Sequence, residues 1–197
     1  MNRADISPNL IHFTSGDDYV DAFRRLRKII EDRKLIAGTR FIKGKYPCVC
    51  FSEAPLSSLS DGLVNEDSYS RYSPFGIMVS KKWLFAQGGR PVIYETDREY
   101  RHLPESLRWR HVAYDIRDGF ENIDFTWERE WRIPCHHLSF GEASAVIVVL
   151  DKTWAKRLIS EHQNEEDWKV MQYSLIMDED IAQQYAKSFR WRVAKLR

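Results

Sequence analysis

The segment from Ala143 to Leu150 (ASAVIVVL) places four β-branched residues, Val146 to Val149, in an unbroken run without a charge. Such side chains are stiff at χ1 and favour the pleated backbone, and an uninterrupted apolar run of this length reads as a buried strand. A chain with a strand of this kind must also supply the layers that cover it. Of 197 residues, 43% are hydrophobic and 13% aromatic, enough for a core. That length suits one domain, and no repeat, low-complexity tract or compositional break divides it. Residues 1–197 are therefore expected to form a single domain.

Helical spacing supplies the cover. From Tyr19 to Leu35, apolar residues fall at Val20, Phe23, Leu26, Ile29 and Ile30, opposite a basic face, with Ser15 to Asp18 as turn and N-cap and Gly38 as terminator. Asp151 is expected to cap a helix through His162, and Asp178 to Phe189 a closing helix, before a basic tail from Lys187 to Arg197. Shorter helices are expected at Pro55 to Leu63 and Lys81 to Gln87, and a patchy one at Asp97 to Tyr114, interrupted by Pro104. Strands are expected at Leu10–Thr14, Pro47–Ser52, Phe75–Val79, Arg90–Tyr94, Trp127–Pro134 and Trp168–Ile176. Val64 to Pro74 reads as a polar, lid-like loop, and Arg117 to Thr126 as another loop. This mixed order indicates an α+β fold.

Thirty basic residues against 29 acidic exclude a uniformly basic nucleic-acid coat but leave room for local patches. No apolar run approaches the ~20 residues of a membrane span, and Met1 to Asp5 lacks an apolar signal core. Three cysteines argue against a disulfide framework. A cytoplasmic location without membrane contact is the expectation.

The most specific local feature is Trp127-Glu128-Arg129-Glu130-Trp131-Arg132. As one strand it projects Glu128 and Glu130 from the same face, about 7 Å apart, with Arg132 beside them and the aromatics opposite. Enclosed paired carboxylates can hold a substrate hydroxyl, stabilise a developing cation or act as a base. The plainer reading is a solvated Glu–Arg ladder on a half-buried strand. Other features also divide between site and scaffold. Arg40 and Lys43 lie in a loop after the basic helix face and suit phosphate, or simply solvent. Tyr69, Arg71 and Tyr72 interleave aromatics with charge, as base-stacking segments do. Cys48 and Cys50 with Cys135, His136 and His137 offer zinc-ligand types at poor spacing, so no metal is expected. There is no nucleophile elbow, phosphate-binding P-loop or zinc-protease motif.

VCFSEAPLSSL (Val49 to Leu59), FGIMVSKKW (Phe75 to Trp83), GGRPVIY (Gly88 to Tyr94) and WEREWRI (Trp127 to Ile133) resemble the phage-defence proteins grouped as AbiGi. An early His12-Phe13-Thr14 strand, a second strand ending Cys50-Phe51-Ser52-Glu53 and a late Glu-x-Glu strand resemble, more distantly, the ADP-ribosyltransferase fold of DarT-type toxins. The AbiGi similarity spans roughly residues 10 to 135, and the ADP-ribosyltransferase resemblance rests on fewer residues. It implies a split antiparallel sheet flanked by helices, with NAD as the substrate. It implies His12 as the ribose contact with Phe13 and Thr14 beside it, and Ser52 or Phe51 as the second-strand element. Arg40 is then a candidate for the NAD phosphates. Glu130 is implied as the catalytic acid, with Glu128 orienting the acceptor. Here the second strand has Phe-Ser-Glu where the strongest forms of the pattern have Ser-Thr-Ser.

Three readings follow. The favoured one is an NAD-dependent mono-ADP-ribosyltransferase, a toxin or phage-defence effector modifying a nucleic acid or a protein. The second is a non-enzymatic antitoxin or sensor that binds a cognate partner. The third is a metal-dependent nuclease using Glu128, Glu130 and His136 or His137. The transferase reading expects His12 and Glu130 to meet in one sheltered cleft, and a placement on opposite faces counts against it.

Overall fold

A seven-stranded sheet organises the computed structural model of the chain, which describes residues 6–53, 72–117 and 122–197. The eleven described strands are β1 (Asn9–Phe13), β2 (Lys34–Ile36), β3 (Cys48–Ser52), β4 (Gly76–Ser80), β5 (Arg90–Pro91), β6 (Ile93–Glu95), β7 (His111–Ala113), β8 (Glu130–Pro134), β9 (His137–Ser139), β10 (Ala145–Val149) and β11 (Val193–Lys195). The main sheet runs β11-β10-β4-β1-β3-β8-β5, antiparallel throughout except for the β10–β11 pair. Two small sheets, β2–β9 and β6–β7, flank it. The fold is α+β, as expected.

The β-branched run forms β10, held between β4 and β11 with Ile147, Val148 and Val149 fully buried. Two helices cover one face of the sheet. In α1 (Tyr19–Asp32), Asp18 accepts from Asp21 N at 2.7 Å, and Ala22, Phe23 and Leu26 point inward. In α3 (Lys152–Ser174), Asp151 accepts from Thr153 N and Trp154 N. Phe23, Phe75 and Trp154 meet with ring centroids 4.8 to 5.6 Å apart, the aromatic centre of this layer. The short α2 (Lys81–Ala86) is capped by Ser80, and α4 (Glu179–Gln183) by Asp178.

Strand register assigns each residue to a face, because directly paired residues project to the same side and alternate along the strand. Leu10 pairs with Val79 and His12 with Ile77, so both belong to the helix-covered face. Ile11 pairs with Met78 and with Ser52, and Ser52 pairs with Glu130, so these belong to the other face. Ile11, Phe13, Met78 and Val148 form a smaller apolar cluster there. Gly76 lets β1 and β4 close up, since a Cβ at that position would sit 2.4 Å from the His12 carbonyl oxygen.

Several elements differ from the sequence reading. α1 ends at Asp32 because Arg33 turns left-handed (φ 52), and Lys34–Ile36 leaves as β2. Trp168 to Ile176 was expected as a strand; α3 runs through it to Ser174. Ion pairs one helical turn apart, Arg157–Glu161 and Lys169–Glu166, brace that helix, and Trp168 and Met171 stay half exposed. The apolar spacing of this stretch therefore does not record burial. The closing helix contracts to α4, and residues 193–195 become β11 at the sheet edge. Arg90 to Tyr94 divides at Val92 between β5 and β6, which belong to different sheets. Asp97 to Tyr114 forms two 3-10 turns, Glu99–His102 and Glu105–Arg110, with Pro104 between them, and then β7. The expected helix at 55–63, most of the expected lid, Tyr69 and Arg71 lie outside the described residues.

Candidate functional site

Only part of the acidic segment is a strand. Thr126–Glu128 forms a 3-10 turn, Arg129 is left-handed (φ 44), and β8 begins at Glu130. A side-chain-bearing residue in that conformation costs about 1 kcal/mol or more, so surrounding contacts must impose it. Glu53 N donates to the Arg129 carbonyl, and Ser52 Oγ donates to the Glu128 carbonyl at 2.8 Å. The turn tucks Glu128 inward to 6% exposure, where the Tyr72 hydroxyl hydrogen-bonds it. The two carboxylates thus stand on either side of a kink, and the expected strand Trp127–Pro134 is corrected to the five residues of β8.

From Glu130 onward the alternation holds. Trp131 and Ile133 enter the helix-covered core, while Glu130 and Arg132 project to the opposite face. Arg132 forks both Glu130 oxygens, Nε to Oε1 at 2.8 Å and Nη2 to Oε2 at 3.1 Å. Its remaining Nη1 donates to the carbonyls of Trp109 and His111. With a side chain only 5% exposed, this guanidinium needs every one of these acceptors. Burial opposes its charge, but Glu130 outweighs that and the net shift is upward.

Three more side chains close the group. The Cys50 thiol hydrogen-bonds Glu130, and burial, then that carboxylate, push its pKa well above 9, so it remains a thiol. The Tyr94 hydroxyl accepts from Glu130 N at 2.9 Å, and burial drives its pKa up to about 12. Burial and then Glu128 raise Tyr72 as well, so both phenols keep their protons. The result is a largely buried set with two carboxyl groups, one guanidinium, two phenols, one thiol and a hydroxyl. Such a set can orient a ligand hydroxyl or favour a positive charge developing beside it.

The first-strand residues divide between the faces. Phe13 lies on the face of Glu130, 8% exposed and packed on Tyr72 with centroids 5.3 Å apart. His12 belongs to the other face, its ring edge-on to Phe51 at 5.8 Å. Its Nδ1 lies 2.8 Å from the Cys50 carbonyl oxygen and must carry the proton to donate there. Burial holds the pKa of His12 below 6.5, so the ring is neutral at pH 7. The imidazole and the acidic pair therefore do not share one hollow; they connect through Cys50, whose carbonyl serves one and whose thiol serves the other.

Thr14 is spent on the scaffold, its hydroxyl 3.1 Å from the Phe75 carbonyl and 3.3 Å from that of Ala22. Ser52 faces Glu130, and Phe51 does not. Arg40 is exposed beyond Gly38, which bridges Cys48 at the opposite end of β3 from Ser52, and it stacks on Phe41. His136 and His137 lie past the far end of β8, and the fold does not bring them to Glu128 and Glu130. Burial raises the Cys48 thiol to about 11 and also raises Cys135, which weakens both as ligands. Among the described residues no three His, Cys, Asp or Glu side chains gather as a metal site.

The sequence reading placed Arg132 beside the carboxylates but gave no part to Tyr94 or to Cys50 as a partner of Glu130. Neighbouring spacing on β8 exposes Arg132; nothing local marks the others, which arrive from different strands. No family model matches the chain, and neither does any curated protein or solved structure. Among the described residues no helix is long and apolar enough to cross a membrane.

Proposed function

We propose that this chain is an NAD-dependent mono-ADP-ribosyltransferase, a toxin or phage-defence effector with Glu130 as its catalytic carboxylate. The observation that carries the reading is the pair of carboxyl groups, Glu128 in the turn before β8 and Glu130 at its start, both acting on the Tyr72 and Tyr94 hydroxyls, with Ser52 and Phe13 on the face of Glu130. His12 and Phe13 lie on β1, Phe51 and Ser52 on β3 and Glu130 on β8, which are consecutive neighbours in the sheet. That order suits a split antiparallel sheet of the ADP-ribosyltransferase kind.

NAD supplies an ADP-ribosyl group whose anomeric carbon gains positive charge as nicotinamide departs. A carboxylate already oriented by Arg132 stabilises that charge without reorganising. Each carboxylate oxygen has two lone pairs, so the fork leaves acceptor capacity for a ribose hydroxyl. Glu128 would orient the acceptor. Of the two second-strand residues, Ser52 fits this reading because it shares the face of Glu130. His12 serves as a positioning residue, anchoring the seam at Cys50.

One observation favours a second reading, a non-enzymatic antitoxin or sensor. Glu130 already has Arg132 and Cys50 as partners, which is how a purely structural ion pair looks. The test is incubation of the purified chain with labelled NAD and separated DNA, RNA and protein fractions. Transfer of label that disappears in a folded Glu130→Gln variant supports the transferase. No label in any fraction, together with no calorimetric binding of NAD, overturns it in favour of the binding protein.

A further inference from the structure

The basic face of α1 and the basic segment after α4, far apart in the sequence, converge on one cleft of about 750 Å³. One wall carries Arg24, Arg27, Lys28 and Arg33; the other carries Lys187 and Arg190, beside Phe189 and Trp191. Of the seven cationic side chains in the lining, Arg24 pairs with Asp21 and Lys28 with Asp32, and Arg27, Arg33 and Lys169 are paired as well, which leaves Lys187 and Arg190. α1 and α3 both pack on the helix-covered face, so this cleft is separate from the Glu130 face.

Apart from Glu31, the lining acids are engaged in ion pairs. Arg27 pairs with Glu161 and Glu165, Arg33 with Glu142 at 2.7 Å, and Lys169 with Glu166 at 2.6 Å. The backbone of Lys187 is pinned to α3 at two points, its N–H to Glu166 Oε2 and its carbonyl to His162 Nε2, both at 2.8 Å. Among the described residues, Lys187 Nζ and the terminal nitrogens of Arg190 have no carboxylate partner. Two cations without carboxylate partners on one wall of a cleft leave a local positive potential that an anion would relieve. Two aromatic side chains stand beside them, and the cleft falls in the size range of small-molecule sites, roughly 300–1,000 Å³.

We propose that this cleft binds a nucleoside polyphosphate, with the phosphates on Lys187 and Arg190 and the base against Phe189 and Trp191. A free nucleotide and a 5′-phosphorylated strand end share this chemistry. The inference stands apart from the transferase reading.

The experiment is calorimetry on the full chain with ATP, inorganic tripolyphosphate, and an oligonucleotide with or without a 5′-phosphate. ATP or the phosphorylated oligonucleotide should bind, more weakly as salt rises, and whichever binds better identifies the source. Lys187→Ala with Arg190→Ala should weaken binding roughly tenfold or more while leaving the circular dichroism and ligand-free Tm unchanged, since neither side chain holds an ion pair. Glu130→Gln should bind as the wild type does. Affinity unchanged in the double variant, lost in Glu130→Gln, or absent for both nucleotide ligands overturns the proposal. Tripolyphosphate binding as tightly as ATP overturns the role given to the base.

Discussion

On the face of the central sheet that carries Leu10, Phe51, Ile77 and Trp131, α1 and α3 press aromatic against aromatic and exclude water over a wide area. On the opposite face, Ile11, Phe13 and Met78 give way within two strands to Ser52, Cys50, Glu130 and Arg132. Burial on the first face is non-directional, and each side chain contributes through area and fit. On the second, each buried polar group depends on a named partner, so losing one partner costs more than losing both. Specific chemistry belongs to the second face for this reason.

The contrast is sharpest in mutations. Phe75→Ala, in the dry layer where the ring is fully buried among Tyr19, Phe23 and Trp154, should cost about 3–5 kcal/mol by denaturant unfolding. Arg132→Met, on the polar face, should cost about 3 kcal/mol by stranding Glu130. Adding Glu130→Leu to it should recover part of that loss, whereas no second truncation should rescue Phe75→Ala. If the Arg132 and Glu130 effects simply add, the pairing account fails.

A smaller effect is expected at Ser52. Ser52→Ala removes the hydrogen bond that anchors the Glu128 carbonyl and should cost about 1 kcal/mol. The smallest effect appears only in acid. His12 and His111 both have pKa values lowered by burial, so the unfolded chain takes up protons first as pH falls. Their contribution is complete above pH 6.5 and is lost as pH drops from there through their folded values. His12→Asn should therefore flatten the pH dependence of Tm below 6.5 without abolishing it, because His111 remains. An unchanged slope would place the His12 ring in solvent.

Much of this architecture is readable from local pattern. The charge-free run became β10, the spacing after Asp18 became α1, and Trp131 and Ile133 separate from Glu130 and Arg132 as alternation requires. Patterns failed where contacts from elsewhere decide. The expected strand at Trp168 to Ile176 is apolar enough to pair, but α3 continues through it and β11 takes the edge beside β10. The turn at Arg129 looks like strand in sequence, yet Ser52 and Glu53 hold it in a left-handed kink.

The amino-acid sequence alone determined the α+β class, the buried strands and the residue types gathered at the acidic segment, because periodicity and charge are local properties of the chain. Only the tertiary structure decided that His12 and Glu130 occupy opposite faces, that Tyr72, Tyr94 and Cys50 join the carboxylates, and that two remote basic segments share one cleft. Those outcomes depend on strand register and on which strands become neighbours, and both are settled by how distant segments bury one another.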